Sequence, residues 1–172
     1  MTAEQAVFLR DFLLPGIEEE YRLTRRVLGA VPDDRSDYRP DPKSRTAREL
    51  AWHIVATELD FLKGIAAGAF TSMEEAPNPT SSMAEMIALY EREIPAGIEQ
   101  MRALSGEQLA TVINFFGVFN YPTVTYLTFL SNHSIHHRGQ LSAYLRSMGS
   151  PVPAIYGPSG DEMWGETSTA TA

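Results

Sequence analysis

Four histidines carry most of the chemistry this chain can do, and three of them cluster at His133, His136 and His137. At roughly 100° per residue, His133 and His137 fall one turn apart on the same face of a helix. Imidazoles at this spacing can grip one metal ion, because neighbouring turns bring their nitrogens close together. Their stripe also holds Tyr126, Leu130, Gln140 and Tyr144, which reads as a core-facing one. The fourth, His53, shares a stripe with Leu50, Thr57 and Phe61, so it too is expected to point inward. A third histidine from a facing helix completes a three-His site with positions open for water or substrate, whereas structural zinc is enclosed by four protein ligands. The same spacing also fits core histidines satisfied by ordinary hydrogen bonds, and spacing by itself leaves both readings open. His136 lies about 100° away from His137 on the wheel and cannot point at the same atom from the same depth. It reads as a residue behind or at the rim of the site, or as an ordinary, partly exposed histidine.

The elements that must position these rings are helices. Apolar residues from Ala3 to about Gly29 recur at helical spacing, with Pro15 marking a bend. Pro32, Pro40 and Pro42 among Asp33, Asp34 and Asp37 then make a long connecting loop. Thr46-Ala47-Arg48-Glu49 has the pattern of a capping box and opens a second helix running to about Phe70. Ser82-Met83-Ala84-Glu85 repeats that pattern before a third helix, which runs to about Leu104 with a kink at Pro95. The stretch Ser105 to Tyr121 is mixed and is read as irregular, although Asn114 to Asn120 also suits a short strand. Pro122 suits the first turn of a long last helix that continues to Met148 and stops at Gly149. Four apolar stripes without alternating strand patterns predict an all-α chain, most simply an antiparallel four-helix bundle whose long first loop permits a crossover. Residues 1–162 are expected to form a single domain, with 163–172 as a flexible tail.

Composition narrows the function. The 172 residues include no cysteine, which excludes disulfide frameworks, Cys-rich zinc modules and thiol nucleophiles. Lys+Arg 14 against Asp+Glu 22 gives a net charge of -8 without a basic run, which argues against nucleic acid as a partner. Glu4, Arg10 and Asp11 interrupt the apolar start, so neither a signal peptide nor a membrane span is expected, and a cytoplasmic location is.

The segment His133-Ser134-Ile135-His136-His137-Arg138-Gly139-Gln140-Leu141 resembles the HxxHHRGQ signature of the DinB/YfiT-like superfamily of metal-binding four-helix bundles. Thr46-Ala47-Arg48-Glu49-Leu50-Ala51-Trp52-His53 is similar to that family's second-helix motif, and Tyr38, Arg39 and Pro40 match the loop before it. The resemblance covers the chain to about Glu162. It implies that His53, His133 and His137 bind a divalent metal ion, commonly nickel or zinc, and that the protein is a homodimer. It also implies that relatives include transferases adding a low-molecular-weight thiol to an electrophile, metal-dependent hydrolases, and proteins with no assigned reaction.

With no cysteine, catalysis would fall to the ion and its water, acting on a small molecule by thiol transfer or hydrolysis. Glu49, one turn before His53, and Asp60, two turns after it, are the carboxylates that could orient a ligand or act as a base. Gln140 could support a ligand histidine, and Arg138 could hold an anionic group or a carboxylate on another helix. Trp52, Phe115, Phe116, Phe119, Tyr121 and Tyr156 are candidate pocket walls, and the turn-rich stretch Tyr156 to Glu162 a loop covering the site or a dimer partner. The alternatives are a non-catalytic metal-binding or stress-response protein, and a dimeric structural bundle whose histidines belong to the core.

Overall fold

Three of the four long helices begin on a side chain that caps them. Thr2 accepts from the Gln5 amide to start α1 (Ala3–Gly29), Thr46 from Glu49 to start α2 (Ala47–Ala67), and Ser82 from Glu85 to start α3 (Met83–Ala103). The boxes close at Thr2 and Thr46, where the Gln5 and Glu49 side chains return to the cap amide. At α3 the Glu85 carboxylate passes over Ser82 and takes the Ser81 amide at 2.7 Å. Neither Pro15 nor Pro95 ends its helix. The structure, a computed structural model, describes residues 1–163; the flexible tail expected over 163–172 falls, beyond Met163, outside the described residues.

Three boundaries differ from expectation. α2 ends at Ala67, because Gly68 takes the left-handed conformation that caps it, and not at Phe70. The last helix, α5 (Tyr126–Ser147), begins after a 3-10 turn at Thr123–Thr125, and Pro122 closes a strand instead of opening the helix. The stretch read as irregular folds as a short helix, α4 (Gly106–Ala110), and an antiparallel hairpin of β1 (Val112–Phe115) and β2 (Phe119–Pro122), with Ile113 opposite Tyr121. At the hairpin tip Phe116 and Gly117 both have positive φ, 51° and 79°, and the Val118 amide bonds the Phe115 carbonyl at 2.9 Å. Such turns favour Asn-Gly, and a phenylalanine held there costs on the order of 1 kcal/mol of backbone strain.

The long helices form a ring in which α1 packs on α3 and α5, and α2 on α3 and α5, so α1 and α2 are diagonal. Arg25–Glu91 and Arg102–Glu18 contacts run α1 antiparallel to α3. By contrast Arg48 bonds the Thr80 carbonyl just before α3 while Gly97 lies against Leu62, so α2 and α3 are parallel and the 15-residue connection from Gly68 to Ser82 must travel back along α2. The all-α bundle is therefore as expected, but its helices do not simply alternate in direction. Among the described residues no helix is long and apolar enough to cross a membrane.

A polar network crosses the otherwise apolar core. Glu58 of α2, 4% exposed, receives hydrogen bonds from Ser134 of α5 at 2.5 Å and Tyr90 of α3 at 2.8 Å. Burial raises its pKa to about 7, against the lowering effect of the Ser134 and Tyr90 hydrogen bonds and the nearby Arg138. Tyr90 donates to one carboxyl oxygen and Ser134 to the other, and the Ser134 hydroxyl also lies 3.0 Å from the Leu130 carbonyl.

The folded protein thus keeps on Glu58 a proton that the unfolded chain releases near pH 4.5. This stabilisation is fully present below that pH and is lost as the pH rises through about 7. The displacement is worth about 3 kcal/mol. His133, whose folded pKa is lowered, acts in the opposite sense over part of the same range, so the Glu58 effect is read as a difference. Urea unfolding of wild type and Glu58→Gln between pH 4.5 and 7.5 should show the wild-type advantage shrinking by about that amount. A constant difference between the two proteins would mean that Glu58 is not protonated in the folded state.

Candidate metal centre

α2 and α5 pack antiparallel, and this brings His53 against His133 and His137 of α5. His53 Nε2 lies 3.1 Å from His133 Nε2 and 3.3 Å from His137 Nε2. The ligand atoms of the three residues all fall within 4.8 Å of one another, and all three side chains are half-buried. Nitrogens bound about 2.0–2.1 Å from one tetrahedral ion stand roughly 3.3 Å apart, so the donor set fits such an ion. Burial, and secondarily the neighbouring rings, lower the His133 pKa to about 3, and burial lowers that of His137 as well, which favours neutral rings with free lone pairs.

The outer nitrogens decide where those lone pairs are. His53 Nδ1 lies 2.5 Å from the Glu75 carboxylate, which only accepts, so the neutral ring carries its proton there. His137 Nδ1 lies 2.8 Å from Gln140 Oε1, and the Gln140 amide nitrogen donates to His136 Nε2 at 3.2 Å, which orients that amide. His53 and His137 therefore present bare Nε2 lone pairs to each other with no proton between them, an arrangement that a cation relieves. His133 Nδ1 is buried with no partner among the described residues, so this ring is free to place its proton on Nε2 and donate to His53.

The structure distributes the other candidates unequally. His136 is exposed and reaches the cluster through Gln140, and Gln140 supports His137 directly. Arg138 is only 1% exposed, but it is turned away from the ligand stripe: it pairs with Glu20 of α1 at 2.6 Å and donates to Thr24 and Tyr156. The carboxylate on another helix was the correct alternative for it. Glu49 is spent on the α2 cap, whose backbone hydrogen bond lowers its pKa, and it is not available as a base. Asp60 lines the cavity beside the histidines, and desolvation raises its pKa.

The core stripe expected on α5 is only partly core: Tyr126 and Leu130 are buried, whereas Gln140 is exposed and His133, His137 and Tyr144 are half-buried. Leu127, Leu130, Ser134, Arg138, Leu141 and Leu145 are buried, and the His133 and His137 stripe lies on their flank, facing α2 at the edge of the core. Of the expected pocket walls, Phe115 and Phe116 line the cavity, while Trp52 is buried and donates to the Ala76 carbonyl at 2.7 Å. Phe119 and Tyr121 pack with Phe129 on the hairpin. Tyr156 and the loop after it do not cover the histidines: Tyr156 bonds Glu20 and Arg138, Glu162 pairs with Arg26, and Asp161 with Arg146. Glu75, at His53, and Glu58, which ties α2 to α3 and α5, are the polar groups that sequence reasoning missed. Glu58 carried a signal, because it sits on the apolar stripe of Ile54, Phe61, Leu62 and Ile65. Glu75 carried none, lying in a loop without periodicity.

Comparison with known proteins agrees with this architecture. A model of the DinB family matches residues 10–168. The chain is 31% identical over 162 residues to the uncharacterized protein YrdA of Bacillus subtilis strain 168, covering 88% of this chain and 90% of YrdA. Its fold is similar to the crystal structure of a DinB-like protein from Bacillus cereus ATCC 10987, with a TM-score of 0.72, 28% identity and coverage of 84% of this chain and 95% of that one. The DinB-like YjoA of Bacillus subtilis shares the fold at a TM-score of 0.68 and 22% identity, covering 83% and 96% of the two chains.

The proton positions are measurable. Long-range proton–nitrogen correlation spectra of metal-free protein at pH 8 should show His53 and His137 protonated on Nδ1 and His133 on Nε2. Glu75→Ala should release the His53 preference and leave that of His137. Nε2 protons on both His53 and His137 in wild type would remove the argument for a preformed cation site.

Proposed function

Because the chain belongs to the DinB family, we propose that His53, His133 and His137 hold one divalent ion, nickel or zinc, and that the protein is an enzyme acting on a small molecule there, by thiol transfer or hydrolysis. The observation that carries this reading is the convergence of His53, His133 and His137, with the Nε2 of His53 3.1 Å and 3.3 Å from those of His133 and His137, and Glu75 and Gln140 at the outer nitrogens of His53 and His137. When bound, such an ion supplies a Lewis acid that polarises an electrophile and lowers the pKa of a water or thiol.

The chain's own residues do the rest. Glu75 holds the His53 proton on Nδ1, which fixes the ring's orientation and raises its basicity toward a cation. Gln140 does the same for His137 without adding charge, and ties in His136. Asp60, with its pKa raised by desolvation, is the carboxylate on the cavity wall suited to accept or return a proton there. An ion held by three histidines would keep positions for further ligands, and the cavity of about 640 Å³ lined by His53 and His133 suits a small molecule. Neither nucleic acid nor a membrane belongs to this reading, and a homodimer remains compatible with it.

Untagged protein loaded with zinc or nickel should bind one ion per chain. His53→Ala, His133→Ala and His137→Ala should each abolish stoichiometric binding, His136→Ala should retain it, and Glu75→Ala should weaken it by about 10–100-fold. Full occupancy in any one of the first three variants would remove that residue from the site. Chelation should lower the melting temperature but leave the helical circular dichroism, since the core is apolar and complete without the histidines. A cobalt-substituted sample should change its absorption on addition of a small thiol or anion. A spectrum indifferent to all such ligands means a closed site and overturns the enzyme reading.

A further inference from the structure

The cavity beside the histidines has a wall that metal binding does not require. It opens on His53 and His133, and Phe61, Phe70, Phe115, Phe116 and Phe129 line it. These rings come from four separate pieces of chain: α2, the connection after it, the hairpin and α5. They meet edge to face or offset, with Phe70 and Phe115 at 4.9 Å and 79°, and Phe115 and Phe116 at 4.8 Å and 64°. Two features of the backbone serve this wall. Gly64 of α2 leaves the space in which the Phe70 ring lies, since a Cβ there would stand 2.4 Å from Phe70 Cδ1. Phe116 occupies a positive-φ position where asparagine or glycine is the comfortable residue, and its ring is thereby carried into the cavity lining.

We propose that this wall is the specificity site for the substrate of the metal centre, and that the substrate class is a small molecule with a metal-coordinating head and a flat aromatic body. The inference rests on the metal reading above. The volume of about 640 Å³ suits a small molecule. Ring faces and edges at these angles recognise another ring by the offset and edge-to-face contacts they already make among themselves, which an alkyl chain of the same area cannot reproduce. Asp60, Lys63 and Glu75 line the same cavity and supply polar groups beside the rings. The strain at Phe116 has no counterpart in core packing, because the ring is half-buried at a hairpin tip and the hairpin would be better closed by asparagine. Phe116 is accordingly a specificity-determining residue.

Hydroxamates separate the two halves of the inference, because they share one metal-binding head and differ in the body. Calorimetric titration of zinc-loaded protein should give benzohydroxamate an affinity at least about tenfold above that of acetohydroxamate, and above that of hexanohydroxamate. Phe116→Asn, which relieves the positive-φ strain, should reduce the preference for the aromatic ligand at least threefold without lowering the melting temperature, a separation that a merely structural role would not give. Equal affinities for benzohydroxamate and acetohydroxamate would overturn the aromatic site while leaving the metal centre standing. A hexanoyl body bound as tightly as the phenyl would overturn the aromatic preference, and an unchanged preference in Phe116→Asn would overturn the role of that residue. Binding of none of the three hydroxamates, with zinc retained, would overturn the inference together with the open-site reading beneath it.

Discussion

The register between α2 and α5 is the constraint on which the histidine cluster depends, and the buried hydrogen bond from Ser134 to Glu58 is the directional contact that sets it. One residue of helical slip displaces a side chain by about 1.5 Å along the axis, enough to pull the converging histidine nitrogens apart. Apolar contacts along the seam, such as those of Ile54, Phe61, Leu130 and Leu141, change little with small slips, because dispersion and burial lack direction. A hydrogen bond of 2.5 Å in the core does not tolerate such a slip. Ser134 directly follows His133, and Glu58 lies about one turn and a half beyond His53, so the tie acts close to the rings it must align. Tyr90 extends it to α3, and Arg138 with Glu20 and Thr24 makes a separate tie from α5 to α1.

A second constraint is topological. With α2 and α3 parallel, the chain leaving Ala67 must return the whole length of α2 before α3 can start. Its contacts follow in reverse order along that helix: Phe70 against Gly64, Glu75 at His53, Ala76 at Trp52 and Thr80 at Arg48. The carboxylate behind His53 and the first ring of the aromatic wall are thus products of one crossing. An alternating bundle would have a short turn at this point, and neither group would reach the site.

The sequence made legible what has a period. Helical spacing locates α1, and spacing with capping side chains locates α2 and α3, to within a few residues, and the i, i+4 pair with His53 names the three rings that converge. Tertiary context supplied the remainder. Glu75 is placed by the path of a loop, and no local pattern marks it. The misread face of α5 has a more instructive cause: polar Ser134 and buried Arg138 occupy its true core stripe, which made the neighbouring stripe of histidines and tyrosines look more apolar than it is. The hairpin escaped because its turn breaks the usual code, with phenylalanine where asparagine would announce it.

These exceptions to local rules separate by purpose. Glu58 and Arg138 are charged residue types placed on core stripes, yet each is satisfied by partners on other helices, and together they fix how the helices sit against one another. Such groups belong to architecture. His133 Nδ1 and Phe116 are different, because one is a buried nitrogen without a partner among the described residues and the other a strained backbone. In a sequence whose local preferences otherwise agree with its fold, uncompensated departures mark places held for something besides stability. Both residues line the same cavity, His133 at the histidine cluster and Phe116 on the aromatic wall, so the ligand proposed above would lie across both.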